Sequence, residues 1–394
     1  MKEVFIVSSC RTAIGSFGGS LKDVSPVTLG VAVAKEALKR ANATPEQVDE
    51  MSFGCILAAG QGQNVARQVA LGAGLPVTVP CTTTNMVCGS GMKTVMDGAR
   101  GILAGDVDVV LAGGTESMSG APYLMSNGRW GAKMGHTTME DSMIRDALWD
   151  VYNDYHMGET AENLCDQWNL SREELDAFAA DSQVKAEKAK AAGRFVDEIV
   201  PIEIKTRKET IVFEQDEYIR GNTTVESLQK LRPAFRRDGG RVTAGNASGI
   251  NDGAAAILIA SGEAVERYGY KPIAKLIGWG QAGVDPAIMG IGPVEASRNA
   301  LKKAGLEMAD MDLIEANEAF AAQALAVAKE LGFDMNKVNV NGGAIALGHP
   351  VGSSGARVMV TLLHEMEKRK DKYGLATLCI GGGMGVATVV ERCE

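Results

Sequence analysis

The chain contains an internal duplication, in which landmarks of its N-terminal part return in the same order near the C-terminus. The landmarks are a helical run before an aspartate, a small-residue block before an amphipathic run, and an apolar run that ends on two glycines: Ala37 to Asp49 with Ala300 to Asp312, Gly89-Ser90-Gly91 with Ser353-Ser354-Gly355, and Asp108 to Gly114 with Ala376 to Gly382. Matched landmarks in one order predict two structurally similar halves.

Each half alternates short β-rich runs with stretches of helical period. In the first half these runs are Val4 to Ser9, Leu29 to Arg40, Met51 to Ile56, Val65 to Ala73, Met92 to Ala104 and Val107 to Ala112. Such alternation is typical of α/β domains in which helices cover a sheet. Thr44-Pro45-Glu46-Gln47 adds the signature of a helix start. We therefore expect two like α/β domains packed together.

The segment from Ser119 to Asn246 interrupts the duplication and predicts an inserted lobe. Residues 121–157 are rich in Met, Gly, Asn and aromatic residues without sustained periodicity, whereas Ser171-Arg172-Glu173-Glu174 is a capping box that predicts a helix to about Ala192. Later in the lobe basic residues outnumber acidic ones, which indicates either a solvated loop face or a site for a phosphate-bearing ligand. These basic residues are Lys205, Arg207, Lys208, Arg220, Lys230, Arg232, Arg236, Arg237 and Arg241.

Length, charge and cysteine spacing restrict the class of protein. The 394 residues, 45% of them apolar, exceed what one core usually serves, and a net charge of −9 argues against nucleic acid or an anionic membrane as the main partner. No apolar run approaches the roughly 18 residues of a membrane span, and the first residues do not resemble a signal peptide. The seven cysteines form no CxxC pair. We expect no metal site and a reducing cytoplasm.

Cys88 is the first candidate for chemistry. It stands in Asn85-Met86-Val87-Cys88-Gly89-Ser90-Gly91, between a β-like run (Val79 to Thr84) and the amphipathic stretch Met92 to Ala104. A thiol at a helix N-terminus is where a thiolate is stabilised, so we expect a nucleophile near neutral pH. The flanking glycines leave room for a substrate. The alternative is a buried structural cysteine.

His349 and Cys379 supply partners for such a thiol. His349 lies between Gly348 and Pro350 on a glycine-dense loop, and the duplication maps it close to the equivalent of Cys88. Cys379 ends an apolar β-like run before Gly381-Gly382-Gly383, where α/β sheets place their sites. Each residue alone could be structural. Together they predict two thiols and an imidazole at one domain interface.

Four ordered blocks of the sequence resemble the signature blocks of the thiolases, and within that family those of the biosynthetic acetyl-CoA acetyltransferases. The blocks are Asn85 to Gly91, Asn317-Glu318-Ala319-Phe320, Asn341 to Pro350 and Cys379 to Gly383. The resemblance covers the whole chain and implies duplicated α/β/α domains in five layers with an inserted loop lobe. The implied ranges are 1–118 with about 247–270 for the N-terminal half, 119–246 for a CoA-binding lobe and 271–394 for the C-terminal half.

The resemblance also implies a two-step acyl transfer from acetyl-CoA, reversible and without a cofactor. Cys88 would take an acetyl group as a thioester, activated by His349, which also helps the CoA thiol to leave. Cys379 would remove a proton from the methyl of a second acetyl-CoA, and the carbanion would attack the acyl-enzyme to give acetoacetyl-CoA. Asn317, through water, and His349 would stabilise the enolate, while the N–H groups of Cys88 and Gly381 would hold the tetrahedral oxyanion.

The same resemblance assigns a path for coenzyme A and an assembly. The path residues would be Leu148, His156, Met157, Arg220, Ser227, Phe235, Ala244, Ser248, Ala319 and Phe320, with Arg220 at the nucleotide end. Met157 and Met289 are expected to limit acyl length. The segment from about Ala121 to Met143, with Tyr123, Trp130 and several methionines, would tie two dimers into a homotetramer. The alternative is a loop folded onto its own domain.

Two other functions stay open from the sequence. A β-ketoacyl synthase would use Cys88 with a carrier-protein substrate, although those enzymes typically have histidine or asparagine where this chain has Cys379. A redox or acyl-binding protein would hold the same cysteines without turnover.

Overall fold

A computed structural model describes residues 3–205 and 207–393 of the chain. Met1, Lys2, Thr206 and Glu394, which fall within the predicted domain ranges, lie outside the described residues.

Strands and helices alternate along both halves. The strands are β1 (Val4–Thr12), β2 (Gly15–Ser16), β3 (Glu50–Gly54), β4 (Cys81–Thr84), β5 (Val109–Ser117), β6 (Tyr123–Leu124), β7 (Glu140–Asp141), β8 (Trp149–Asp150), β9 (Tyr155–His156), β10 (Ile199–Val200), β11 (Ile202–Lys205), β12 (Thr210–Phe213), β13 (Asn251–Ser261), β14 (Ala274–Gly283), β15 (Leu313–Ala316), β16 (Tyr373–Ile380) and β17 (Met384–Arg392). The α-helices are α1 (Pro26–Ala41), α2 (Val65–Ala73), α3 (Ser90–Ala104), α4 (Met157–Gln167), α5 (Arg172–Ala191), α6 (Val225–Gln229), α7 (Gly262–Tyr268), α8 (Gly292–Ala304), α9 (Ala321–Leu331), α10 (Ala344–Leu347) and α11 (Val351–Arg369). Short 3₁₀ helices lie at Pro45–Gln47, Gly128–Trp130, Pro286–Ile291 and Met308–Asp310, and Ile144–Leu148 forms a π-helical turn.

One large mixed sheet carries the duplication. Its strand order is β15-β16-β17-β14-β1-β13-β5-β3-β4, with β10 beside β1 and β2 beside β13. The N-terminal series β3-β5-β13-β1 has the same order as β15-β16-β17-β14, and the bridge from Ile314 to Val338 extends β15 as β4 extends β3. Short pairing of β1 with β14 joins the two series. The predicted pair of like α/β halves is confirmed.

The helices separate the molecule into five layers. Helices α1 and α2 cover the outer face of the N-terminal strands, α8 covers that of the C-terminal strands, and α3 and α11 pack together between them. Apolar cores fill each interval, with Met92, Ile257 and Val360 in the central one. The predicted layering is therefore present, while the exact domain ranges stay a prediction.

Two glycines let the central helices approach closely. A Cβ added to Gly91 on α3 would lie 2.7 Å from the Ala356 nitrogen of α11, and one added to Gly355 on α11 would lie 2.4 Å from the Met92 nitrogen of α3. These glycines are the matched positions of the duplication. The contact brings the N-termini of α3 and α11 together, and with them the two loops that precede these helices.

The inserted lobe contains short strands and the helices α4, α5 and α6. Helix α5 begins after the capping box of Ser171 and Glu174 and ends at Ala191, as predicted. The carbonyl of Asn246, the last residue of the predicted lobe, accepts from the Ala321 N–H of α9 at 2.9 Å, and just beyond the lobe the Ser248 N–H donates to the Ala319 carbonyl at 2.9 Å. This pairing places the end of the lobe against the C-terminal half.

The helix start predicted at Thr44 is confirmed as a short 3₁₀ helix, Pro45–Gln47, with Thr44 and Gln47 in a capping box before the chain enters β3. One local prediction had the wrong bounds. The run from Val79 becomes strand only at Cys81, because Pro80 precedes it and lacks a backbone donor. No helix among the described residues is long and apolar enough to span a membrane.

Candidate active site

A cavity of about 500 Å³ opens between the two halves and the lobe. Cys88, His349, Cys379 and Gly381 all line it. Cys88 comes from the loop before α3, His349 from the loop before α11, and Cys379 from the end of β16. The fold thus brings together residues far apart in the sequence, as the duplication predicts.

The Cys88 loop is a tight turn that aims the thiol at the cavity. Val87 has a positive φ of 43°, an unusual conformation for a β-branched residue. The Ser90 hydroxyl accepts from the Met86 N–H at 2.9 Å and donates to the Val87 carbonyl at 2.7 Å, which fastens the turn. At Gly89 a Cβ would lie 2.4 Å from the end of the Ile380 side chain, so a larger residue there would have to displace that side chain.

The expectation of a thiolate at Cys88 was wrong, because its pKa is raised and not lowered. The residue is only partly covered, yet its sulfur lies in apolar surroundings, and burial raises the pKa of the thiol to about 11. The N–H groups of Gly381 and of Cys88 itself lower that pKa, and the Glu116 carboxylate raises it. Because burial outweighs the N–H groups, Cys88 is a thiol that needs a base.

Cys379 is more deeply enclosed, with 1% of its surface exposed. Burial raises the pKa of its thiol far above the ordinary value, and the neighbouring Cys88 raises it further. Both cysteines line the same cavity. Cys379 is therefore a thiol in the resting protein and can donate a proton.

His349 is buried and held from both sides. Its backbone N–H donates to Asn251 Oδ1 at 2.9 Å, and its ring Nδ1 lies 2.6 Å from the Ser354 hydroxyl. Its Nε2 is buried and lacks a partner among the described residues. Burial, aided by the nearby Arg357 cation, lowers the pKa of the imidazole to about 3. The ring is therefore neutral, and it belongs to a residue that lines the same cavity as the two thiols.

Asn317 directly follows β15, the neighbour of β16 in the sheet, and is not among the residues that line the cavity. Both polar atoms of its side-chain amide are buried without a partner among the described residues, a costly state that a bound water or ligand would relieve. Its N–H donates to the Thr377 carbonyl of β16 at 3.0 Å. Glu318 next to it accepts from Ser182 and Ile345, which fixes the motif against α5 and α10.

Most of the proposed coenzyme A residues also line the cavity. They are Leu148, His156, Met157, Arg220, Phe235, Ala244, Ser248, Met289, Ala319 and Phe320. His156 stacks on Phe235 with ring centroids 4.7 Å apart, and Phe235 meets the edge of Phe320 at 6.4 Å. A Cβ on Gly158 would lie 2.1 Å from the Phe235 ring. These contacts form a rigid aromatic wall.

Ser227, unlike the other proposed coenzyme A residues, lies away from the cavity lining. It lies in the exposed first turn of α6, where its hydroxyl donates to the Thr224 carbonyl, and it is not among the residues that line the cavity. Arg220 is exposed at the cavity rim with its guanidinium 5.1 Å from the Tyr218 ring. A cation there is available to an anionic ligand.

Part of the basic segment of the lobe is occupied by internal ion pairs. Arg236 bonds to Glu159 and Asp166 of α4, and Arg241 bonds to Asp166. These arginines hold the Phe235 loop against α4. Fewer of the lobe's basic side chains are therefore available to bind a phosphate-bearing ligand than their number in the sequence suggested.

Sequence reasoning missed three residues that support the site. Asn251 and Ser354 hold His349, and the fully buried Glu116 accepts from the N–H groups of Ile56, Leu57 and Gly352 at 3.1, 3.1 and 2.8 Å. Ser354 belongs to the duplicated small-residue block, which was a usable signal. Asn251 and Glu116 stand in strands without a distinctive motif, and only the fold brings them to the site.

Comparisons with known proteins agree over the full length. Residues 4–263 match the family model "Thiolase, N-terminal domain", and residues 270–392 match "Thiolase, C-terminal domain". An acetyl-CoA acetyltransferase of Pseudomonas aeruginosa is 58% identical over 393 residues, covering 100% of both chains. One from Syntrophomonas wolfei is 56% identical over 394 residues, covering 99% of both.

Solved structures give the same result. The crystal structure of the Bacillus anthracis acetyl-CoA acetyltransferase superposes with a TM-score of 0.97 at 47% identity, covering 100% of this chain and 99% of that one. Human mitochondrial 3-ketoacyl-CoA thiolase in complex with CoA superposes with a TM-score of 0.96 at 46% identity, covering 100% and 98%.

Proposed function

Because the chain belongs to the thiolase family, we propose that it is an acetyl-CoA C-acetyltransferase. Two acetyl-CoA molecules condense reversibly to acetoacetyl-CoA and CoA through an acetyl group on Cys88. The observation that carries the proposal is the convergence of two thiols, one neutral imidazole and two backbone donors on a single cavity.

The first step transfers an acetyl group to the enzyme. The Cys88 proton passes to Nε2 of His349, and the sulfur attacks the carbonyl carbon of the first acetyl-CoA. The developing oxyanion accepts from the N–H groups of Cys88 and Gly381, which already point at this sulfur. The C–S bond to coenzyme A breaks, and the Cys379 thiol protonates the leaving sulfur. Acetyl-Cys88, a Cys379 thiolate and an imidazolium remain.

The second step makes the carbon–carbon bond. The Cys379 thiolate removes a proton from the methyl of the second acetyl-CoA, and the carbanion attacks the acetyl carbonyl on Cys88. The enolate oxygen is stabilised by His349 and by a water on Asn317, whose side-chain amide has no hydrogen-bond partner within residues 3–205 and 207–393. The Cys88 sulfur leaves and recovers its proton from His349. All protons are then back on their starting atoms, so the cycle needs no further reactant.

The raised pKa values of the thiols fit a reversible reaction. Burial makes each thiolate a strong base, which the abstraction of a proton next to a thioester requires. A thiol left permanently ionised would be a weaker base and a better leaving group. The resting enzyme therefore stores both protons and releases them only when substrate enters.

The inserted lobe binds coenzyme A in this proposal. The His156 and Phe235 wall flanks the pantetheine, Ser248 and Ala319 line the path, and Arg220 receives the nucleotide phosphates. Changing Arg220 to Ala should raise KM for acetyl-CoA several-fold with little change in kcat, because a lost rim contact weakens binding uniformly. Arg207→Ala, on the same lobe and absent from the cavity lining, is the control and should leave KM unchanged. Equal KM values for both variants would reject the assignment.

The exposed loop between β6 and β7 supports a homotetramer. Tyr123, Trp130, Met134 and Met139 are exposed there to 65, 82, 97 and 66%, an apolar surface that a dimer–dimer contact would cover. Sedimentation should give a tetramer, and Trp130→Ser with Met134→Ser should give dimers. A double variant that stays tetrameric would contradict this assembly.

A cytoplasmic location accords with seven cysteines that are all free.

A thiolysis assay tests the proposed function. Purified protein with acetoacetyl-CoA and free CoA should consume the β-ketothioester and form two acetyl-CoA. A series of longer 3-ketoacyl-CoA substrates should react more slowly if Met157 and Met289 limit the acyl site. No turnover would reject the proposal. Turnover only with an acyl carrier protein would instead support a β-ketoacyl synthase.

A further inference from the structure

The hydroxyl of Ser354 is the one side chain among the described residues that hydrogen-bonds to the His349 ring. Ser354 lies in the first turn of α11, fully buried, with its Oγ 2.6 Å from His349 Nδ1. The same Oγ lies 2.9 Å from the Pro350 carbonyl. The hydroxyl therefore sits between one group that only accepts and a ring nitrogen that either donates or accepts.

The proton of the hydroxyl decides the state of the ring. A serine hydroxyl has a single proton and two lone pairs, and the Pro350 carbonyl has no proton to give. When Ser354 donates to Pro350, its oxygen must accept the proton of Nδ1–H. A neutral imidazole protonated at Nδ1 carries its lone pair at Nε2. Nε2 is the buried nitrogen for which the described part of the chain provides no hydrogen-bond partner.

We propose that Ser354 is a positioning residue that fixes His349 in the Nδ1–H form, so that Nε2 can take the Cys88 proton. This inference rests on the proposed function, which makes His349 the base. Loss of the hydroxyl would release the tautomer and the ring orientation, and the form protonated at Nε2 cannot accept a proton from the thiol.

The rest of the loop holds the ring in place and leaves the tautomer to Ser354. Gly348 has a φ of 109°, and a Cβ there would lie 2.4 Å from Asn251 Cγ. The backbone N–H of His349 donates to Asn251 Oδ1. The Nδ2 of the same Asn251 side chain donates to the Gly15 carbonyl at 3.0 Å. These contacts fix the backbone and do not touch the ring nitrogens.

Ser353 provides a matched control one residue away. It is also buried in the first turn of α11, and its hydroxyl also donates to the Pro350 carbonyl, at 3.0 Å. It makes no hydrogen bond with His349. A purely structural effect of removing a hydroxyl from this turn should therefore appear equally in Ser353→Ala and Ser354→Ala.

Nitrogen NMR of histidine-labelled protein tests the tautomer directly. The chain has four histidines, so the spectrum of His349→Ala assigns the His349 signals. At pH 7 the wild type should show a protonated Nδ1 and an unprotonated Nε2, since burial keeps this ring neutral. Ser354→Ala should shift both signals toward averaged tautomers, and Ser353→Ala should not. A wild-type ring protonated at Nε2 would overturn the inference, whether or not the variant folds.

The rate of Cys88 alkylation by iodoacetamide gives a second readout and separates the two claims. We expect His349→Ala and Ser354→Ala to slow alkylation, the latter by on the order of 10-fold, as when an orienting partner of a functional histidine is removed. Ser353→Ala should alkylate like the wild type. An unchanged rate in His349→Ala would contradict the proposed base. A slowed rate in His349→Ala with wild-type rate and tautomer in Ser354→Ala would overturn the inference alone.

Discussion

The loops before α3 and α11 occupy equivalent positions in the two halves, yet they perform different work. Ser90 and Ser354 are matched by the duplication. Ser90 bonds to the backbone at Met86 and Val87 and so shapes the turn that carries Cys88. Ser354 bonds to the side chain of His349. Of the two matched hydroxyls, that of Ser90 thus bonds only to backbone, whereas that of Ser354 bonds to backbone and also to an imidazole.

The difference shows which features the fold requires and which the chemistry has changed. Gly91 and Gly355 keep the same role, because two helices cannot approach this closely with a Cβ at either position. The reactive residues differ, because the loop before α3 carries the thiol of Cys88 and the loop before α11 carries the imidazole of His349. The duplication therefore supplies the geometry, and divergence within the loops supplies the reaction.

The largest effect is expected from a change to Cys88, the reactive residue of the loop before α3. Cys88→Ser should lower kcat for thiolysis by on the order of 10⁴-fold or more, because a serine hydroxyl is a far weaker nucleophile beside a neutral imidazole. Cys81→Ser, in β4 of the same half and outside the cavity lining, should retain wild-type activity. Steady-state thiolysis assays of both variants measure this difference. Substantial activity in Cys88→Ser would show that Cys88 is not the nucleophile.

A second variant sharpens the division between the two thiols. Cys379→Ala should lose condensation by about 10²- to 10⁴-fold, the range of a general acid–base group. It should still acquire an acetyl group on Cys88 slowly, since Nε2 of His349 remains available. Intact-protein mass spectrometry after exposure to acetyl-CoA measures this. Condensation at the wild-type rate would show that Cys379 is not the base.

The glycine pair tests what the halves share. Gly91→Ala and Gly355→Ala should each lower the free energy of unfolding by about 1 to 3 kcal/mol, because an added Cβ would meet backbone atoms of the facing helix. Urea denaturation measures the change. Gly262→Ala is the comparison variant, since its Cβ would lie 3.4 Å from Phe5, an ordinary contact. A glycine variant as stable as the wild type would argue that the helices separate freely.

The smallest expected effect concerns Glu116, whose carboxylate joins Ile56 and Leu57 of one half to Gly352 of the other. Burial raises the pKa of Glu116 from 4.5 to about 7. Between these values the folded state binds a proton that the unfolded state releases, so this group's contribution to stability falls as pH rises. Glu116→Gln does not titrate. The stability of the wild type relative to this variant should therefore decrease from pH 5 to pH 8, and a rising difference in urea denaturation would contradict the assignment.

Much of the architecture could be predicted because the duplication, the capping residues and the motif blocks can be read directly from the sequence. The duplication predicted two like halves, which the matched strand order confirms, and the capping box of Ser171 predicted the start of α5. The four motif blocks identified the residues around the cavity. Each of these signals depends on neighbours in the sequence.

The parts that failed depend on distant neighbours. The thiolate expected at Cys88 is a thiol because apolar surroundings from several elements outweigh the nearby N–H groups. Arg236 and Arg241 looked available for phosphate, but acids of α4 already pair with them. Asn251 supports His349 across 98 residues of sequence. Burial and long-range pairing of this kind have no local signal.

The most direct test of the account is a crystal structure of the protein soaked with acetyl-CoA, because its central claim is that both halves act on one carbonyl carbon. We predict an acetyl group on the Cys88 sulfur. Its oxygen should lie within hydrogen-bonding distance of the N–H groups of Cys88 and Gly381, with Nε2 of His349 and the Cys379 sulfur facing the same carbon. An acetyl group on another residue, or one on Cys88 with His349 and Cys379 turned away, would contradict the account.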